Sequence, residues 1–468
     1  MSKVSNGNGL AQIARREIGG FEGELTGPQD PGYEGARAIY NGMIDRRPGL
    51  VARAAGVEDV TRVVDFARER DLLLAVRGGG HNGGGLGTCE DGVVLDLSAL
   101  KGIEVDPGER TVRVGGGCLW KEVDAATGEH GLATPSGIIG TTGVGGLTLG
   151  GGLGHLTRRH GLTIDNLLEA EVVLASGERV RASAEENTDL FWALRGGGGN
   201  FGVVTSFLFR LHEVGTVFAG PTLWPVEQAT EVLGAYRDFL PAAPRELNGF
   251  FAFLTVPPGE PFPEELHMRK VCGVVWCYVG DAEDGARAIA PLLDGLPEPL
   301  LHGPQPVPHA ALQGSFDPVY PAGDQWYWRA DFVNEIYDEA IAEHARFGAE
   351  LPTWKSTMHL YPIDGAAHDP GPEDTAWSYR EANWGAVYAG VDTDPANAEA
   401  IERWCVDYYD ALHPHSAGGA YVNMMMDDEG QDRVKASYRG NYDRLARIKA
   451  EYDPGNLFRV NQNIEPAS

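Results

Sequence analysis

Cysteine, positive charge and long apolar runs are all scarce in this chain. Its five cysteines, Cys89, Cys118, Cys272, Cys277 and Cys405, form neither an even disulfide framework nor a metal-ligand spacing. They read as reduced, structural thiols, and no metal site is expected. Lys and Arg number 38 against 67 Asp and Glu, a net charge of −29 that repels nucleic acid and anionic membrane. These charges are spread along the chain, so they describe a solvated surface and say little about a substrate. No run approaches the about 18 apolar residues of a membrane span. The opening residues, Met1 to Gly9, are polar and lack the apolar core of a secretory signal, so cytoplasmic residence is expected. There is no Gly-Lys-Ser/Thr loop ending, and no Gly-x-Gly-x-x-Gly opens an obvious helix, which argues against nucleoside-triphosphate and Rossmann readings.

Glycine is what the chain has in quantity, and it is concentrated. Arg77-Gly78-Gly79-Gly80-His81 follows the apolar run 72–76, so a strand feeds a loop without side chains. Such a loop can turn its N–H groups toward an anion and suits the pyrophosphate of a nucleotide cofactor, to which Arg77 can add charge. A second glycine block runs from Gly137 to Gly154 and includes Gly143, Gly145, Gly146 and Gly150. A third, Arg195-Gly196-Gly197-Gly198-Gly199-Asn200-Phe201-Gly202-Val203, leads straight into a strand. Alone, His81 reads as an ordinary loop histidine bonded to backbone or water. Three such loops exceed what turns require.

Together these loops resemble the berberine-bridge-enzyme-like branch of the vanillyl-alcohol-oxidase flavoproteins. The closing segment does too: Tyr421-Val422-Asn423, then Tyr438-Arg439-Gly440-Asn441-Tyr442, then 452–464 with Asn461 and Gln462. The resemblance implies an α+β fold: a PCMH-type FAD-binding domain of two α/β subdomains plus a substrate domain with an antiparallel sheet flanked by helices. It implies FAD joined covalently to His81 through a methyl of the flavin's dimethylbenzene ring. Many relatives carry a second, cysteinyl tether four residues before the first glycine of the Gly-x-Gly-Gly run. Here that position is Ile139, so a single tether is expected. Residues 77–82, Gly143, Gly145, Gly146, Gly150, Asn200, Gly202, Val203, Asn461 and Gln462 are the expected cofactor contacts.

Periodicity supports this organisation. Residues 50–53 read as a strand, 58–70 as a helix with Val60, Val63, Val64 and Ala67 on one face, and 72–76 as a second strand. Strands are expected at 93–97 and 111–114, a helix at 119–130, a hairpin through 170–174 and 179–182, a short helix at 189–194 and a strand at 203–211. The texture then becomes proline-punctuated and aromatic. The expected division is an FAD-binding portion over 1–214, split near 100, a substrate portion over 215–416, and a segment over 417–468 returning to the first. Alternation at 355–361 and 384–390 predicts antiparallel strands.

A flavin oxidises by accepting hydride at N5, and the protein positions the donor carbon and removes a proton from its hydroxyl or amine. Tyr421, paired with Asn423 on one face of an expected strand, is the first candidate base, if its surroundings lower its pKa from about 10. Otherwise Tyr421 packs against flavin or substrate. His359 and Tyr361, sharing a strand face, are the second candidates, with a scaffolding role as the alternative. Some members of the family have a glutamate here, so their mechanism does not transfer directly. Trp326 and Trp328 wall the pocket or pack the core. The resemblance brings Thr142 near the flavin ring, where small side chains leave room for dioxygen as the electron acceptor. The expected function is oxidation of an alcohol or amine carbon in a small natural-product-like molecule. Carbohydrate oxidation and a non-catalytic, ligand-binding relative are the alternatives.

Overall fold

The computed structural model describes residues 9–468. Near the start, Leu50–Arg53, Val93–Asp96 and Leu74–Arg77 pair in parallel, with Glu24–Thr26 added antiparallel at the edge. The helix Val57–Glu69 crosses between the first two parallel strands in the sequence, and Val60, Val63, Val64 and Ala67 are fully buried at 0 % exposure. A second, antiparallel sheet has the order Ile103–Asp106, Thr111–Gly115, Val203–Arg210, Leu167–Val173, Arg179–Ser183. Its hairpin turns through Gly177 at φ +85°, as the 175–178 signature predicts. The expected helices at 119–130 and 189–194 are Trp120–Gly128 and Thr188–Leu194.

The large sheet takes every strand from residues 216–392. In spatial order it runs Leu301–His302, Thr216–Pro225, Lys270–Tyr278, Leu247–Thr255, Thr357–Pro362, Trp384–Asp392, Gln325–Val333, and Gln305–Pro308 also pairs with Thr216–Pro225. All pairings in it are antiparallel. One face is covered by Ala229–Phe239, Asp338–Ala349 and Ala398–Leu412, whose apolar sides form a core with Trp224, Phe251, Trp276 and Met358. The other face carries His359, Tyr361 and Phe250 toward the glycine loops. This is the α+β arrangement the resemblance implies, two sheets bearing the glycine loops beside an antiparallel sheet flanked by helices.

Two expectations fail locally. Tyr421 to Asn423 is not a strand, because Val422–Met424 is a 3-10 turn closed by Met424 N–H donating to Tyr421 O at 2.8 Å. The second glycine block is not all loop, since Val144–Gly150 forms a short helix. Glycine disfavours helix by up to about 1 kcal/mol per residue, so packing against neighbours has overridden propensity there.

The segment beyond residue 440 is riveted to the third glycine loop by a buried ion pair. Lys449, at 0 % exposure, donates to Asp453 Oδ2 at 2.6 Å, Asn200 O at 2.7 Å and Phe458 O at 3.0 Å. Asp453 in turn accepts the N–H groups of Leu457 and Phe458. Removing one partner strands a buried charge, so Lys449→Ala is expected to cost about 3–5 kcal/mol. A fall in Tm checks this, and an unchanged Tm contradicts it.

Candidate active site

Where the sheets meet lies a cavity of about 350 Å³, within the range of about 300–1,000 Å³ for ligand pockets. The three glycine loops form its floor. Gly79 and Gly143 touch backbone to backbone. A Cβ on Gly79 would lie 2.4 Å from Gly143 N, and one on Gly143 would lie 2.3 Å from Gly79 N, so no other residue fits at either position. Gly80 turns the first loop at φ +66°. None of the backbone N–H groups from Gly78 to Asn82 donates to a protein acceptor among the described residues. A row of open donors at the end of a strand is a cradle for an anionic group.

Of the expected contacts, Gly78, Gly79, Gly80, His81, Asn82, Gly143, Gly145, Gly146, Asn200, Gly202, Asn461 and Gln462 line this cavity. Three expectations are corrected. Arg77 reaches the lining, but its guanidinium is committed to Asp96 at 2.9 Å and to the carbonyls of Ala36 and Ala38. It braces the loop and offers the cavity no free charge. Val203 points into the core beside Val173, because strand alternation gives the cavity Val204 instead. Gly150 lies off the cavity against Asn423, whose Oδ1 would be 2.3 Å from a Cβ there.

His81 stacks on Tyr40 with ring centroids 3.6 Å apart, and its Nε2 lies 3.1 Å from Thr141 Oγ1. Burial lowers its pKa to about 3, so the imidazole is neutral. Ile139 lines the cavity and no cysteine does; all five thiols are buried elsewhere.

Tyr320, Trp326, Trp328, His359 and Tyr361 add an aromatic wall to the same lining. His359 Nδ1 lies 2.6 Å from Tyr361 Oη, and Phe250 packs behind both rings. Burial lowers the His359 pKa to about 3 and raises that of Tyr361. Tyr421 is held differently. Its Oη accepts Gly152 N–H at 2.9 Å and Asn423 Nδ2 at 2.7 Å, and Leu147 O lies 3.4 Å away. Burial pushes Tyr421 up to about 12, against the opposing pull of those two donors. Thr142 also lines the cavity. Among the described residues, Arg77 is the one lining side chain of fixed charge.

The arrangement fits a flavin dinucleotide. Besides the open N–H row, Tyr438 Oη and Asn461 Oδ1 line the cavity and are buried without a partner among the described residues, a cost that a polar ligand would relieve. Residues 48–183 match the model of the FAD binding domain, and residues 420–465 match the berberine and berberine-like model. An FAD-linked oxidoreductase of Dictyostelium discoideum is 31 % identical over 98 % of this chain and 98 % of its own. The chain belongs to the berberine-bridge-enzyme-like FAD-linked oxidoreductases. Another member of the family, the (R)-6-hydroxynicotine oxidase of Paenarthrobacter nicotinovorans, is 29 % identical over 95 % of this chain and 97 % of its own. The crystal structure of 6-hydroxy-D-nicotine oxidase from Arthrobacter nicotinovorans superposes with a TM-score of 0.84 at 27 % identity, covering 96 % of this chain and 98 % of that one. The protein is thus an FAD-dependent oxidoreductase of the berberine-bridge-enzyme-like type, an oxidase acting on a small molecule. No helix among its described residues is long and apolar enough to cross a membrane.

Tyr40 and Tyr320 escaped the sequence reading. Each lies far from any glycine loop in sequence, and only the tertiary fold brings both to the cavity, where Tyr40 Oη donates to Tyr320 O at 2.8 Å.

Proposed function

We propose that this oxidase removes hydride from the hydroxyl-bearing carbon of a small, planar, uncharged, natural-product-like molecule, that His81 alone tethers its FAD, and that dioxygen is the final acceptor. The observation carrying this reading is the pairing of two uncharged polar groups, His359 and Tyr361, with an aromatic wall that offers no carboxylate or ammonium. Bound FAD supplies the hydride acceptor at N5. His359 takes the hydroxyl proton, and Tyr361 fixes its ring through Nδ1. Tyr421 is the poorer base, since two N–H donors already occupy its oxygen. Its part is to hold Asn423 against the floor, where Nδ2 also donates to Gly146 O at 3.0 Å. Thr142 keeps the floor low enough for dioxygen to approach. Ile139, in the place of a cysteine, supports the single tether.

A protonated amine would enter this cavity with no counter-charge, at a cost of several kcal/mol. An amine substrate therefore binds as the free base. Relatives are named for 6-hydroxynicotine and for glucooligosaccharide oxidation. The aromatic wall favours a compact ring system over an oligosaccharide, whose many hydroxyls need many side-chain partners.

The test is stopped-flow reduction of the bound FAD across pH with matched aryl alcohols and amines. The imidazole at His359 stays neutral far above its pKa of about 3. Alcohol oxidation is then expected to be flat between about pH 5 and 9. Amine oxidation is expected to rise with pH until the amine's own pKa. Alcohol rates that climb steadily toward alkaline pH would return the basic role to Tyr421.

A further inference from the structure

We propose that Thr141 is the positioning residue for covalent attachment of the cofactor: it fixes the proton of His81 on Nε2 and leaves Nδ1 as the nucleophile, while Tyr40 clamps the ring. The inference rests on the tether at His81.

The geometry is specific. Thr141 Oγ1 is the one protein partner of the His81 ring nitrogens among the described residues, at 3.1 Å from Nε2. If the ring proton sat on Nδ1, the ring nitrogen that opens to the cavity would have no lone pair to offer, and Nε2 would be left to accept from Thr141 Oγ1. With the proton on Nε2 it is donated to Oγ1, and the Nδ1 lone pair is free. The ring cannot swing away, because Tyr40 lies parallel at 3.6 Å with a 22° tilt. Tyr40 is itself anchored by its bond to Tyr320 O, and Trp326 packs 5.6 Å from it. The loop bearing Thr141 is held as well: Gly140 N–H donates to Asp317 Oδ1 at 2.8 Å, and Thr142 O accepts Trp120 N–H at 3.0 Å.

The step balances as follows. A bond forms between His81 Nδ1 and the carbon of the flavin's ring methyl, and one C–H bond of that methyl breaks. The methyl proton and the Nε2 proton both leave, the latter by way of Thr141 Oγ1. The two electrons released go first to the flavin and then to dioxygen, which takes them up with two protons as hydrogen peroxide.

The experiment compares wild type, Thr141→Val, Thr141→Ser and His81→Ala, each produced without flavin in a riboflavin-starved host and then supplied with FAD. Attachment is followed as colour retained in the acid-precipitated pellet and as the mass increase of the intact chain. Total bound FAD is measured before acid treatment. The expected result is attachment at least tenfold slower in Thr141→Val at unchanged total binding, with Thr141→Ser restored toward wild type. Equal rates in wild type and Thr141→Val overturn this inference and leave the tether standing. Release of all the flavin from wild type by acid overturns the tether, and the inference with it.

Discussion

With His359 replaced by glutamine, reduction of the bound FAD by substrate is expected to slow at least about a hundredfold, the lower range for loss of a positioned general base. Glutamine keeps a polar group of similar reach but cannot accept the proton. His359 is fixed by the 2.6 Å contact with Tyr361 and by Phe250 behind it, so a smaller change at Tyr361 should also register. Tyr361→Phe leaves the imidazole in place but loose, and roughly a tenfold loss is expected from one missing hydrogen bond of about 1.5 kcal/mol. Substrate affinity, read from the concentration dependence of the same traces, should change far less than the limiting rate. If His359→Gln reduces at the wild-type rate while Tyr421→Phe does not, the proton goes to Tyr421.

The second large effect concerns the cofactor. His81→Ala is expected to convert flavin retained in the acid pellet into flavin released to the supernatant, entirely and not partially. No thiol lines the cavity to replace the lost bond. The glycine cradle remains, so the variant should still bind FAD reversibly and lose it on extensive dialysis. Ligand binding to the native state stabilises by mass action. The Tm of His81→Ala should therefore depend on added FAD, whereas that of wild type should not. Retained colour after acid treatment would point to another attachment point and refute the single tether.

Much of this was legible in the chain itself, and for identifiable reasons. Local periodicity places Val60, Val63, Val64 and Ala67 on one helix face, and all are buried. The three glycine loops stand out because only glycine tolerates contacts such as that between Gly79 and Gly143. Legibility fails where tertiary partners decide. Arg77 looked free because its partner, Asp96, lies on the neighbouring strand. Val203 and Val204 exchange roles with one step of strand phase. Tyr421 and Asn423 do meet, but a 3-10 turn brings them together where a strand was expected. Thr141, one residue from the predicted Thr142, gains its interest only when the fold sets it against His81.

The Lys449 rivet has a consequence for the order of events in the cell. Phe458, Val460, Asn461 and Gln462 complete the wall of the cofactor cavity; Phe458 is held there through Lys449 and Asp453, Asn461 by Gly199 O, and Gln462 by the carbonyls of Met425 and Met426. The chain is synthesised from the other end. A nascent polypeptide that has already made the first glycine loop, with His81 in it, therefore has no closed cavity in which to keep a flavin. Cofactor capture must wait until translation has passed residue 462, and a ribosome stalled before that point would carry an open, colourless protein.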